Sequence, residues 1–151
     1  MPDIIISDTS CLVLLDKIGR LELLKSCYST VYITREIQAE YGNKLPTWVI
    51  VEQPKDASLQ KTLEQVLDKG EAGALALAIE KQNATIILDD LRARKVAKSL
   101  NLKITGTLGV LVKAKQDGVI KKVKPLIDEL RKTDFRTSEI VIKKILDVCG
   151  E

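Results

Sequence analysis

The chain has 151 residues, 45% of them hydrophobic and 30% charged, with a formal net charge of +3. This balance excludes a disordered chain and fits one globular domain, residues 1–151, with a core of useful size. There is no histidine, which removes a Ser-His-Asp triad, a histidine general base and the usual histidine-bearing zinc sites.

Aromatic residues make up only 3%, so the core has to be built from Leu, Ile, Val and Ala. Cys11, Cys27 and Cys149 are odd in number and scattered, which reads as free thiols in a reducing compartment. No apolar run approaches membrane-spanning length, and the first residues lack a basic stretch leading into a long apolar one. The expectation is a cytoplasmic protein with no membrane partner.

In chain order, Ile4-Ile5-Ile6 reads as a strand buried on both faces, ending at Ser7-Asp8-Thr9-Ser10. Thr9 or Ser10 is expected to cap a helix through Cys11–Leu15. A short helix over 21–26 follows, then a strand over 30–34 and a helix over 35–41. Glu36 stands in the first turn of that helix, with Glu40 one turn further along. Residues 48–51 predict a short strand, suited to an edge, and 58–67 a helix. Glu71 opens the most apolar helix, 71–79, directly after Gly70, which admits close backbone approach.

Residues 84–88 form an apolar, β-prone run that ends in Asp89-Asp90. A basic helical stretch containing Arg92, Arg94, Lys95 and Lys98 comes next, then a short strand over 102–105 and a helix opened by Gly106-Thr107-Leu108-Gly109. Between Leu91 and Lys124 there are ten basic residues and one acid, Asp117. The closing segments predict helices over 119–132, with Pro125 in its first turn, and from Ser138, as N-cap, to Val148. The alternation of strand and helix is that of a parallel α/β sheet.

Asp8, Glu36, Glu71 and the Asp89-Asp90 pair thus recur near strand ends or helix starts. Ligands of open parallel sheets bind beyond the carboxyl ends of the strands. Each acid alone has an ordinary reading as a helix cap or exposed helix charge. Gathered together they would repel one another and raise each other's pKa, a cost that a divalent cation removes. Oxygen-only ligands select Mg²⁺ or Mn²⁺ over zinc. The adjacent basic stretch suits a polyanion held by its phosphates.

The segments Ile5-Ile6-Ser7-Asp8-Thr9-Ser10, Val31–Ile37, Gly70-Glu71-Ala72 and Leu88-Asp89-Asp90 resemble the four acidic motifs of PIN-domain ribonucleases. Gly106-Thr107-Leu108-Gly109 and the helices after it are similar to the small, VapC-like prokaryotic branch. The resemblance implies a three-layer α/β/α fold with a parallel sheet of strand order 3-2-1-4-5. It implies Mg²⁺- or Mn²⁺-dependent endoribonuclease activity on RNA, an antitoxin partner and a homodimer. Carried over residue by residue, Asp8, Glu36, Glu71 and Asp90 are the catalytic acids. The metal falls to Asp8, Asp90, Glu71 and Asp89, and either member of the Asp89-Asp90 pair can be the one that faces it. Thr9 and Ser10 support the site, and Arg92, Arg94, Lys95 and Lys98 hold RNA. Two other readings stand beside this one: a catalytically degenerate PIN-like protein that binds RNA or a partner, and a receiver-type phosphoacceptor domain.

Overall fold

Three consecutive isoleucines form the middle strand of the protein, seen in a computed structural model that describes residues 3–151. This strand, β1 (Ile4–Ile6), lies between β2 (Thr30–Ile33) and β4 (Thr85–Ile87). Beyond them lie the edge strands β3 (Val49–Val51) and β5 (Lys103–Thr105), giving the order β3-β2-β1-β4-β5. Every pairing is parallel, with Ile5 opposite Val31 on one side and Thr85 on the other. β-Branched residues suit this setting because both faces of the sheet are covered. Ile5, Ile6, Ile86 and Ile87 are all fully buried.

The helices are α1 (Thr9–Lys17), α2 (Leu23–Cys27), α3 (Arg35–Tyr41), α4 (Ala57–Leu63), α5 (Lys69–Glu80), α6 (Leu91–Ser99), α7 (Thr107–Gln116), α8 (Lys124–Arg131) and α9 (Glu139–Val148). They complete a three-layer α/β/α arrangement in which α1, α3, α4 and α5 pack as one connected set and α2 packs on α7. The central helix α5 is buried continuously from Ala72 to Ala78 and lies on β1 and β4. Its alanines let the helix backbone come close to the sheet, where larger side chains would hold it off, while Gly73 makes room for Glu36 and Gln60 on another side. Asp68 caps this helix, accepting the N–H of Glu71 at 2.8 Å.

Local differences from the sequence reading have physical reasons. The cap of α1 is Asp8, not Thr9 or Ser10, so the helix begins one residue after the strand-ending acid. The helix expected over 119–132 begins only at Lys124. Gly118, at φ +75°, ends α7, and the proline of the next helix sits in its first turn. α4 ends at Leu63 rather than 67, and the chain then turns tightly into Asp68. Cys11, Cys27 and Cys149 are free thiols. Among the described residues no helix is long and apolar enough to cross a membrane. Met1 and Pro2, part of the N-terminal stretch considered above, lie outside the described residues.

Candidate active site

The strand order turns from descending to ascending between β1 and β4, and ligands of open α/β sheets collect beyond the strand ends at such a point. Asp8 follows β1 and Asp89 follows β4, so the fold itself sets these two acids side by side. Asp8 is 9% exposed. Its Oδ1 accepts the N–H of Cys11 at 2.9 Å, and its Oδ2 accepts the N–H of Asp89 at 3.2 Å. Burial, and after it the charge of Asp89, pushes the Asp8 carboxyl up to about 7, against the opposing pull of those two N–H groups.

Asp89 is fixed from the other side. Thr107, at the start of α7, donates its N–H to Oδ1 at 2.9 Å and its hydroxyl to Oδ2 at 2.6 Å. Gly106 leaves the room this needs: a Cβ there would stand 2.9 Å from Oδ1 of Asp89 and 3.2 Å from Nη1 of Arg94. Asp90 caps α6 through the N–H of Ala93, at 2.9 Å. The two neighbours thus divide the work, Asp89 facing the sheet end and Asp90 the helix start.

A cleft of about 410 Å³ opens over these residues, and Asp8, Glu40, Asp68, Glu71, Asp89 and Asp90 all line it. Among the described residues none of the six forms an ion pair. Burial, then the charges of Asp68 and Asp90, raises the Glu71 carboxyl above its ordinary value. The sequence matches the PIN-domain family over residues 4–151. The chain belongs to that family. PIN domains are generally nucleases and typically use divalent metal ions. No curated protein matches the chain significantly.

The receiver-type reading falls with the strand order, because receivers place β3 beside β1 on the side opposite β2. The donor set of this PIN domain fits a hard divalent cation: all oxygen, concentrated, and uncompensated by any lysine or arginine lining the cleft. Among the described residues no three His, Cys, Asp or Glu side chains converge in coordination geometry. The fit is therefore one of chemistry and charge, and the cleft is not a finished cage.

Glu36 does not join the cleft. It accepts from the Gln53 amide at 3.1 and 3.3 Å and from the Gln60 amide at 3.3 Å, which turns it toward β3 and α4. Glu40, one turn along the same helix, lines the cleft instead, with its Oε1 accepting the hydroxyl of Thr9 at 3.1 Å. Gly70 makes this possible, since a Cβ at that position would run into the Glu40 carboxylate. Thr9 therefore orients Glu40 rather than Asp8, and Ser10 lies exposed at the cleft's rim.

Of the basic residues on α6, Arg92, Lys95 and Lys98 are exposed in a slanting row three residues apart. Arg92 borders a neighbouring cavity shared with Asp68, Glu71 and Asp90. Arg94 is half-buried and donates Nη1 to the carbonyl of Leu88 at 2.7 Å, bracing the end of β4. Sequence reasoning passed over Glu40, Asp68 and Thr107. The signal for Glu40 was its spacing of four from Glu36. The signal for Thr107 was a hydroxyl opening a helix directly after a strand.

Proposed function

We propose that this PIN domain is an Mg²⁺- or Mn²⁺-dependent endoribonuclease that cleaves RNA phosphodiester bonds. One observation carries the reading: six carboxylates without a paired cation line one cleft at the switch point of a parallel sheet. Asp8, Asp89, Glu40, Glu71 and Asp90 are the residues to hold the ion. A divalent cation bound there supplies water activation at neutral pH and a counter-charge for the phosphate as it becomes pentavalent.

The chain's own side chains do the rest. Asp8 and Asp89, locked by backbone N–H groups and by Thr107, fix the position of the reacting centre. Thr9 holds Glu40 on the facing wall. The row Arg92, Lys95 and Lys98 lies on α6, the helix that Asp90 opens, where an RNA backbone entering the cleft would meet it.

A toxin role, an antitoxin partner, homodimerisation and a cytoplasmic setting rest on the family resemblance and composition. The leucines of α1 and α2 are turned into the core. Leu91, Ile140 and Val148 are the more exposed apolar side chains.

The test is cleavage of a mixed RNA pool with Mg²⁺, Mn²⁺ or EDTA, beside Asp8→Asn and Asp90→Asn. Cleavage that needs metal and vanishes in Asp8→Asn supports the assignment, and cleavage indifferent to both removes it. The lack of three converging donors favours one second reading, a degenerate domain that binds RNA without cutting it. Salt-sensitive RNA binding without turnover in either metal would select that reading.

A further inference from the structure

Asp89 borders more than the carboxylate cleft. A groove of about 440 Å³ opens off it between α6, the end of β5 and α9, and a second of about 340 Å³ opens between α1 and the loop before α9. Both volumes fall in the roughly 300–1,000 Å³ range of sites that enclose a small ligand. The wall common to the two grooves is Phe135 and Arg136. Phe135 is the chain's one phenylalanine. It is half-buried, packed on the core while still bordering both spaces.

This wall is held in place. Lys17 of α1 pairs with Asp134 at 3.0 Å, and the N–H of Phe135 donates to the Thr133 hydroxyl at 3.1 Å. Arg136 Nη1 donates to the carbonyls of Thr133 and Phe135, both at 3.0 Å. The remaining N–H groups of that guanidinium are available. Arg94 faces the larger groove, and among the described residues neither arginine forms an ion pair. Leu91, Ile104 and Leu108 give the larger groove an apolar wall, beside Thr105 and Thr137.

An aromatic ring, an apolar wall and two guanidinium groups without an ion-pair partner among the described residues, sharing Asp89 with the carboxylate cleft, match a nucleotide in each part. The ring offers a face to a base, and planar guanidinium groups match phosphate oxygens. A phosphodiester chain whose cut bond lies in the carboxylate cleft leaves it past Asp89, and both spaces that open there carry Phe135 and Arg136. We propose that Phe135 and Arg136 form the subsite for the nucleotide next to the cut phosphate. Phe135 packs on its base, and Arg136, with Arg94, holds the flanking phosphate. This assignment rests on the RNA-cleaving reading and adds to it where the sequence preference of cleavage is set.

The experiment uses the whole chain and short fluorescent oligoribonucleotides that differ only in the bases beside the cut. Cleavage is measured in Mn²⁺ and binding in EDTA. Phe135→Leu keeps apolar volume but removes the ring, Phe135→Tyr restores the ring, and Arg136→Gln removes an exposed charge. Phe135→Leu is expected to weaken binding about five-fold or more and flatten the base preference, with Phe135→Tyr within about two-fold of the parent. Arg136→Gln is expected to lower the slope of log affinity against log salt by about 0.7. A merely structural role for this loop would move neither base preference nor salt slope, and Arg136→Gln decides the matter even if Phe135→Leu folds poorly. If both variants handle every oligonucleotide like the parent while Asp8→Asn abolishes cleavage, the subsite is refuted and the nuclease reading stands. RNA handling unchanged in this way would also give the wall to a protein partner. A parent chain that neither binds nor cuts any of the RNAs refutes both.

Discussion

The backbone N–H of Asp89 donates to Oδ2 of Asp8 at 3.2 Å, so the chain leaving β4 positions the carboxylate that ends β1. The other oxygen of Asp8 caps α1 through Cys11. Capping and site-building are thus one role for this residue. The two N–H groups hold the carboxylate in a buried place that its own desolvation and the charge of Asp89 disfavour.

A pH dependence follows, with a definite sign. The Asp8 carboxyl is pushed up to about 7 in the folded chain, against about 3.9 for an unfolded aspartate. Between these values the folded state binds the extra proton, so the cation-free protein loses stability as pH rises from about 4 to 7. The full span corresponds to roughly 4 kcal/mol, and Glu71, raised as well, acts in the same direction. Denaturant titrations in EDTA across this range are expected to show the decline, and Asp8→Asn to flatten it. A parent profile that rises with pH over the same interval would contradict the burial of an ionisable Asp8.

Cation binding should carry the opposite dependence. At pH 6 Asp8 is largely protonated, so a cation has to displace the proton; at pH 8 it does not. The gain in Tm from millimolar Mn²⁺ is therefore expected to be larger at pH 8 than at pH 6, and to vanish on chelation. Equal gains at both pH values would place the cation away from Asp8.

Glu36 and Glu40 separate what the motif implied from where the side chains lie. Glu40→Gln removes a cleft carboxylate and is expected to cut cleavage by about 100-fold or more, on the scale of a lost positioning contact. Glu36→Gln should leave cleavage within about two-fold. It should cost about 1 kcal/mol of stability, because one of the two oxygens that accept from the Gln53 and Gln60 amides becomes an NH₂ donor facing them. Gly70→Ala provides a second check. Its Cβ would clash with the flexible end of Glu40 and stand in ordinary contact, 3.6 Å, with Oδ1 of Asp68, so activity should fall while the melting temperature holds. Kinetics and thermal melts on the three variants decide it, and a larger loss from Glu36→Gln would restore the sequence assignment.

The Glu36 case shows where sequence reading stops. The sheet order came with the family resemblance, whereas the acids at the ends of β1 and β4 and the buried α5 were legible in the residues themselves, from β-branched runs and a small-residue helix. Side-chain direction was not. Residues 36 and 40 lie on nearly the same helix face, and the choice between them is made by Gln53, Gln60 and Gly70, all distant in sequence. The division between Asp89 and Asp90 was likewise hidden, because it depends on Thr107, 18 residues beyond Asp89. Phe135 gave no signal at all, since a lone aromatic residue in a turn is most simply read as packing.

Thr107 makes the last case. Its hydroxyl sits 2.6 Å from Oδ2 of Asp89, its N–H 2.9 Å from Oδ1, and it is fully buried. Asp89 also lies at the N-terminus of α7, where backbone dipoles favour an anion. Thr107→Val keeps the shape and the backbone contact but deletes the hydroxyl. One oxygen of Asp89 then loses the one hydrogen-bond donor it has among the described residues, and the carboxylate is held by the Thr107 N–H alone. The expected stability loss is about 1–2 kcal/mol, read from denaturant melts. Cleavage is expected to fall by about 10- to 100-fold, mostly in kcat, since the reacting geometry loosens while the basic row on α6 still holds RNA. Thr107→Ser keeps both donors and should retain most of the activity. A valine variant that cleaves like the parent would mean that Asp89 only links β4 to α7, leaving Asp90 as the acid of that pair.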